Sequence, residues 1–491
     1  MRFEITFIPL VVIVVMTLLW PSRLLGKADK PVQKEQKITA TVKAEIVTAP
    51  LPAKTPTVAP LTAPMSIPSL EQPSVLNKEP LQIHPENPRY FVNGANEIVY
   101  LTGSHHWDNL VDNDTRPGLF DYSAYLNLLQ THNHNFIRLW SQWAWLQNVE
   151  PSPYMRSSPG EALDGRLKYN LYSFNRAYFD RLRARVEAAG ERDFYVAVML
   201  FQGWSITDHG SGNPWVNHPY NGNNNINGVE GDLNGNGEGE EIHTLANSEI
   251  LALQKTYVQK VMDTLNDLDN VLYEISNESP ASSAAWQYHM VNFIREYERT
   301  KPQQHLIGMS SGGGADAITN EDIFAGPADW VAPNYRGGYR DNPPSSDGSK
   351  VVIVDTDHIF GIGGDGRWVW QSFLRGLHPI YMDDFGPQAW KEDARTAMGQ
   401  TRTFAERVNM VHMRPLNNAA SSKFCLANPA SVKAEYLVYV PDGENVTVNA
   451  VAWQSRRESV VDRLRRRLLI TSPSPLYYSI AVGQPDVRVV Q

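Results

Sequence analysis

The sequence is nearly empty of cysteine. A single residue, Cys425, in 491 excludes an intramolecular disulfide framework and a cysteine-rich zinc site. There is no basic excess either: 44 Lys and Arg against 53 Asp and Glu leave a formal charge of -9, the opposite of what a nucleic-acid-binding face requires. No H-E-x-x-H spacing occurs, which removes the helical zinc-hydrolase pattern. A long apolar run is also missing, except at the N-terminus. There, Ile5 to Trp20 falls short of the roughly 20 residues of a comfortable membrane span and is long for a leader core. Residues 1–26 therefore read as a signal peptide or a membrane anchor, and export to the medium or cell envelope is expected. Residues 27–79 are rich in Pro, Ala, Thr, Val and Lys and almost free of aromatics, the composition of an extended, disordered linker.

What is present is a hydrophobic fraction of 42%, enough for one large catalytic domain and a small companion. From Pro80 onward, short apolar runs alternate with helical stretches. Strands are marked by Ile98, Phe136, Phe194, Val271, His305, Trp330, Val351 and Pro379. Helices are predicted at 122–131, 179–189, 247–267, 282–299 and 400–413. Eight strands in such an alternation predict a closed parallel β/α barrel (a TIM barrel) over 80–415. Residues 416–491 then read as a small β-sandwich-like domain, although the arginine cluster at 463–467 breaks the strand pattern near its end.

Reactive groups of a barrel sit at the C-terminal ends of its strands. In NVLYEISNESP, the apolar run from Val271 stops at Asn277-Glu278, which puts a carboxylate at a strand end. Arg138 closes a second strand. Asp355 and Asp357 lie near the end of a seventh, and their spacing of two predicts that both face the same way. Asp383 and Asp384 end the eighth. His105, His106 and His358 suit either sugar hydrogen bonding or a metal, while Trp107, Trp140, Trp143, Trp204, Trp368 and Trp370 include candidate stacking platforms. In the polar loop after Trp204, Asp232, Asn234, Asn236 and Gly237 resemble the start of a calcium loop, but its twelfth position is His243 rather than glutamate.

Arg138, Asn277-Glu278 and the acidic seventh strand together resemble the clan A glycoside hydrolases. The stretches DTDHIFGIGGDGRWVWQSFLRGLHPIYMD, TRTFAERVNMVHMRPLNN and FCLANPASVKAEYLVYVPDG are similar to a bacterial group of these barrels with a C-terminal β domain labelled collagen-binding. The resemblance implies Glu278 as acid/base, Asn277 as a ligand of the sugar 2-hydroxyl and Arg138 as an orienter of the nucleophile. It implies a strand-seven nucleophile that is usually glutamate; here the region holds only aspartate, with Asp357 preferred over Asp355. His105, His106, Trp107, Trp140, Trp204, His358, Trp368 and Asp383 are the candidate substrate contacts, the substrate is an oligo- or polysaccharide, and no cofactor is expected. Two other functions fit the same residues: an inactive exported carbohydrate- or matrix-binding barrel, and a metallohydrolase built on Asp355, Asp357 and His358.

Overall fold

The structure, a computed structural model, describes residues 10–16, 38–41, 79–113, 120–146, 149–210, 212–314, 316–429, 434–440, 447–450 and 479–480. Most of the expected linker and the arginine cluster at 463–467 lie outside the described residues.

Eight parallel strands close into a barrel. They are β1 (Gly103–His105), β2 (Phe136–Leu139), β3 (Tyr195–Gln202), β4 (Val271–Asn277), β5 (Ile307–Ser310), β6 (Trp330–Ala332), β7 (Val351–Asp355) and β8 (His378–Met382). The ring closes where β1 pairs with both β8 and β2. Around it run α1 (Tyr122–Thr131), α2 (Arg176–Gly190), α3 (Ser248–Leu265), α4 (Ala284–Glu298), α5 (Asn320–Ala325), α6 (Thr356–Ile359), α7 (Gly366–Leu374) and α8 (Ala389–Ala405). Helix starts are set locally: Asn175 and Asn247 accept backbone N–H bonds at the beginnings of α2 and α3, and Thr319 and Asp322 form a reciprocal capping box at α5.

Strand alternation sorts the side chains into two cores. On β4, Val271, Tyr273 and Ile275 pack with helix residues such as Leu182 and Val258, whereas Leu272 joins Phe136, Ala197, Trp330 and Val351 inside the barrel. Gly308 makes room for that inner layer, because a Cβ there would lie 2.0 Å from the Trp330 ring. Below the barrel, Gln82–Ile83, Phe91–Val92 and Ile98–Val99 form a small antiparallel sheet, from which Phe91, with Leu81 just before it, packs into the inner core.

Two expectations change. Ile98–Val99 belongs to the small sheet rather than to the first barrel strand, because Asn93 accepts from the N–H groups of Ala95 and Glu97 and holds that hairpin in register. The last helix is α8, beginning just after Pro387, not 400–413. Between β6 and β7 the crossover has no α-helix. Its residues, including Gly337, Gly338, Pro343 and Pro344, form only the 3-10 turn Arg336–Gly338.

After the barrel, Arg414–Pro415, Cys425–Asn428 and Ala434–Val440 form an antiparallel sheet. It docks on α7, where Trp370 stacks with Tyr439 at 6.2 Å. Leu10–Met16 pairs with Ala434–Val440 as a strand, in keeping with its Val and Ile content, and Ile38–Thr41 pairs with Thr447–Ala450. No helix among the described residues is long and apolar enough to cross a membrane.

Candidate active site

Ile137 and Leu139 pack outward among the helices, so Arg138 between them projects into the barrel. Its guanidinium joins three strands. Nε and Nη2 donate to Glu274 of β4 at 2.8 and 2.7 Å, Nη2 also to Asn277 Oδ1 at 2.8 Å, and Nη1 to Asp355 of β7 at 2.7 Å. Burial alone would lower the Arg138 pKa, but the charges of Glu274 and Asp355 raise it above the ordinary arginine value. The guanidinium also lies 5.2 Å from the centre of the Trp140 ring.

The two aspartates of the seventh strand end do not share a strand face. β7 stops at Asp355, whose Oδ1 accepts the N–H of Asp357 at 2.9 Å and caps the single turn α6. Asp355 is fully buried, with Oδ1 also bonded to His105 Nε2 at 2.9 Å and Oδ2 to Arg138. The Trp140 indole donates to His105 Nδ1 at 2.8 Å, which leaves the ring proton on Nε2, pointing at Asp355. Burial would lift the Asp355 pKa, but His105 and Arg138 hold it well below the usual carboxylate range. Asp357 differs. Its side chain is 8% exposed, and its Oδ2 lies 3.4 Å from Arg138 and 3.5 Å from His358.

Glu278 follows β4 with φ at +49°, in the left-handed region that non-glycine residues rarely occupy. Two glycines on the adjoining strand ends make room for that turn. A Cβ on Gly203 would lie 2.3 Å from the Glu278 carbonyl oxygen, and one on Gly312 3.0 Å from its Cα. Burial first, and then the negative charge of Asp357, push the Glu278 carboxyl up to about 8, against opposing effects from Arg138 and a backbone hydrogen bond with Gly313.

Several of these groups were not singled out from sequence: Glu274, Gln202, Ser310, Gly203 and Gly312. Ser310 donates to Glu274 at 2.7 Å, and Gln202 accepts from the Asn277 amide at 3.0 Å. Glu274 had a readable signal, a lone charge inside the buried run VLYEISN. The glycines had none, since the clash they avoid is between residues far apart in the chain.

The remaining candidates separate. Asn277 and His358 belong to the cluster, joined by a 2.6 Å bond from His358 Nε2 to Asn277 Oδ1. Trp107 and Trp140 pack with Met199 and Met382 at the mouth, and His106 stacks on Trp107 at 4.2 Å. Trp204 stacks with Trp145 at 3.9 Å and His209 at 4.2 Å. Trp368 is buried and donates to the Tyr339 carbonyl, while Trp143 and Trp370 are core residues. Asp383 is fully buried and forms a two-pronged ion pair with Arg395 of α8; Asp384 pairs with Lys391. In the calcium-like loop, both oxygens of Asp232 accept backbone N–H groups, from Gly235, Asn236 and Gly237. No three His, Cys, Asp or Glu residues converge as metal ligands among the described residues.

Residues 121–332 match a family model described as a domain of unknown function, DUF6298. No curated protein sequence matches the chain. Among solved structures it is similar to a candidate glycoside hydrolase from Bacteroides vulgatus, with 12% identity and a TM-score of 0.45 over 67% of this chain and 61% of that one, so it spans less than two thirds of that protein. It is similar to a family 5 glycoside hydrolase from the same organism at 10% identity and a TM-score of 0.44, covering 77% of this chain and 90% of that one. A third similar structure is the endo-1,4-beta-mannanase of Rhizomucor miehei, at 13% identity and a TM-score of 0.41, covering 65% and 98%.

Proposed function

We propose that the chain is an exported glycoside hydrolase that cleaves O-glycosidic bonds of an oligo- or polysaccharide with retention at the anomeric carbon. One observation carries this reading: of four carboxyl groups gathered at the barrel mouth, two have both oxygens taken up by short bonds and two do not. Both oxygens of Glu274 are bonded to Arg138, and both oxygens of Asp355 are occupied by Arg138, His105 and the Asp357 N–H. Glu278 and Asp357 remain, one disposed to keep its proton and the other beside a cation. Glycosidic cleavage needs this division between an acid and a base or nucleophile.

In the proposed reaction Asp357 attacks the anomeric carbon while Glu278 gives its proton to the departing glycosidic oxygen. The C–O bond breaks, the leaving alcohol departs, and a glycosyl ester forms on Asp357. Glu278, now a carboxylate, takes a proton from water; the hydroxyl adds to the anomeric carbon and frees Asp357. Arg138 is a positioning residue, holding Asn277 and Asp357 in one frame. Export rests on the apolar run Ile5 to Trp20 after Arg2.

The test is sugar release from plant and microbial polysaccharides by the full chain beside Glu278→Gln and Asp357→Asn. Release by the parent alone supports the reading. Binding of glycans without release by any of the three supports the inactive-binder reading, which the shorter aspartate in place of glutamate favours. The configuration of the first product, read by NMR, decides retention. Inversion would instead make Asp357 the base for a water lodged between carboxyls about 6.5–9.5 Å apart.

A further inference from the structure

The described residues line an open concavity on the same face of the barrel. Its volume is about 630 Å³, and its walls include Arg340, Asp341, Phe360, Gly364, Trp368 and Trp390. These residues come from the connections after β6, β7 and β8, so the cleft opens at the C-terminal mouth. Phe360 lies three residues beyond Asp357. The size falls within the roughly 300–1,000 Å³ of small-molecule clefts.

Its chemistry is mixed in a particular way. Trp390 is 40% exposed; the buried Lys391 covers its inner face at 5.1 Å and Tyr381 meets it edge-on at 6.5 Å, which leaves an outer face open. Trp368 is fixed by its bond to the Tyr339 carbonyl and by the Phe360 ring standing at 90° to it. The Arg340 guanidinium sits 5.3 Å from the centre of Phe360 and has no ion-pair partner among the described residues. Asp341, the next residue, also lines the cleft. Gly364, at φ +90°, makes the turn that lets the loop close over Thr356 and Phe360, where a Cβ would lie 3.3 and 3.5 Å away. An open aromatic face, an unpaired fork of donors and an adjacent acceptor are what the apolar face and vicinal hydroxyls of a sugar ring require. The lining carries two cations, Arg340 and Arg367, and two anions, Asp341 and Asp365, so the cleft has no net demand for a charged ring.

We infer that this cleft is a second subsite, binding a neutral pyranose unit of the same glycan chain whose scissile bond lies over Glu278 and Asp357. The inference rests on the glycosidase reading and narrows its substrate class from oligo- and polysaccharides in general to neutral ones.

The experiment uses the full chain carrying Glu278→Gln, titrated by calorimetry with neutral gluco-, manno- and xylo-oligosaccharides of one to six units and with uronate oligosaccharides. The titrations are repeated after adding Trp390→Ala or Arg340→Met; the latter keeps a flexible stem on Phe360 but removes the donors. In one neutral series, affinity is expected to rise about tenfold or more once the chain is long enough to reach the cleft, with Trp390→Ala removing that gain. The proposal is overturned if no neutral series binds, if only uronate chains bind, or if Trp390→Ala changes short and long ligands equally or not at all. Sugar release by the unsubstituted chain is measured in parallel. Release with no Trp390-dependent length effect sinks the subsite alone, and a Trp390-dependent length effect without release sinks hydrolysis alone.

Discussion

Replacing Glu278 with Gln should do two separable things. The first is loss of sugar release, since Gln has no proton to give. The second concerns stability and follows from the raised carboxyl. The Glu278 pKa rises from 4.5 to about 8 in the folded chain. Below pH 4.5 the group is protonated in both folded and unfolded states and contributes no difference. As pH climbs, the unfolded chain loses this proton first, so the folded state binds more protons and its stability falls until both states are ionised above about pH 8. At 1.36 kcal/mol per pH unit, the interval from 4.5 to about 8 sets a ceiling near 5 kcal/mol. Glu278 is only partly screened from water and shares the effect with Asp357, so the expected penalty is on the order of 2 kcal/mol. The Gln variant lacks it. Urea unfolding of parent and variant at pH 4, 6 and 9 should therefore give coincident midpoints at pH 4 and a variant that is more stable at pH 9. Equal midpoints at every pH, or a variant less stable at pH 9, would refute the enclosed, proton-retaining glutamate. In the parent, kcat/KM should also decline as pH passes about 8.

Three further outcomes test the surroundings of that acid. Asp357→Asn removes the charge that helps hold the Glu278 proton, so the Glu278 pKa should drop below about 8, as read by carboxyl NMR in labelled protein; an unchanged value would separate the two groups. Arg138→Met leaves Glu274 and Asp355 buried without a cation and should destabilise the fold by about 3–5 kcal/mol in denaturant unfolding, whereas a change below 1 kcal/mol would mean the cluster is not desolvated as described. Gly203→Ala drives a methyl group into the Glu278 carbonyl and should lower kcat about 100-fold while the circular dichroism spectrum stays native; activity within twofold of the parent would show that the turn can yield.

Most barrel strands were legible because they are compact apolar runs, and Asn277, Glu278 and Arg138 were legible because polar groups end such runs; the first strand, Gly103–His105, is no such run, and Ile98–Val99 was read in its place. The arrangement of Asp355 and Asp357 was not. Period-two reasoning assumes that the strand continues, but the Asp355 side chain captures the Asp357 N–H and turns the chain into α6. Glu274 was passed over although a charge within VLYEISN can only face a polar interior. Asp383 drew interest as a strand-end acid, yet its partner Arg395 lies twelve residues on, within α8, where sequence spacing gives no hint of a contact. Trp143 and Trp370 illustrate the same point for aromatics, since whether a ring faces a ligand or the core depends on neighbours distant in the chain.

Gly203 and Gly312 stand on either side of Glu278, whose backbone is bent the unusual way. They leave no space in which a neighbouring side chain could grow, so the location of the acid is not open to gradual adjustment. A change of substrate in descendants of this barrel would have to be written elsewhere: in the helix-free connection between β6 and β7 beyond Asn334, whose amide holds the Gly312 carbonyl, and in the glycine-rich segment after β7.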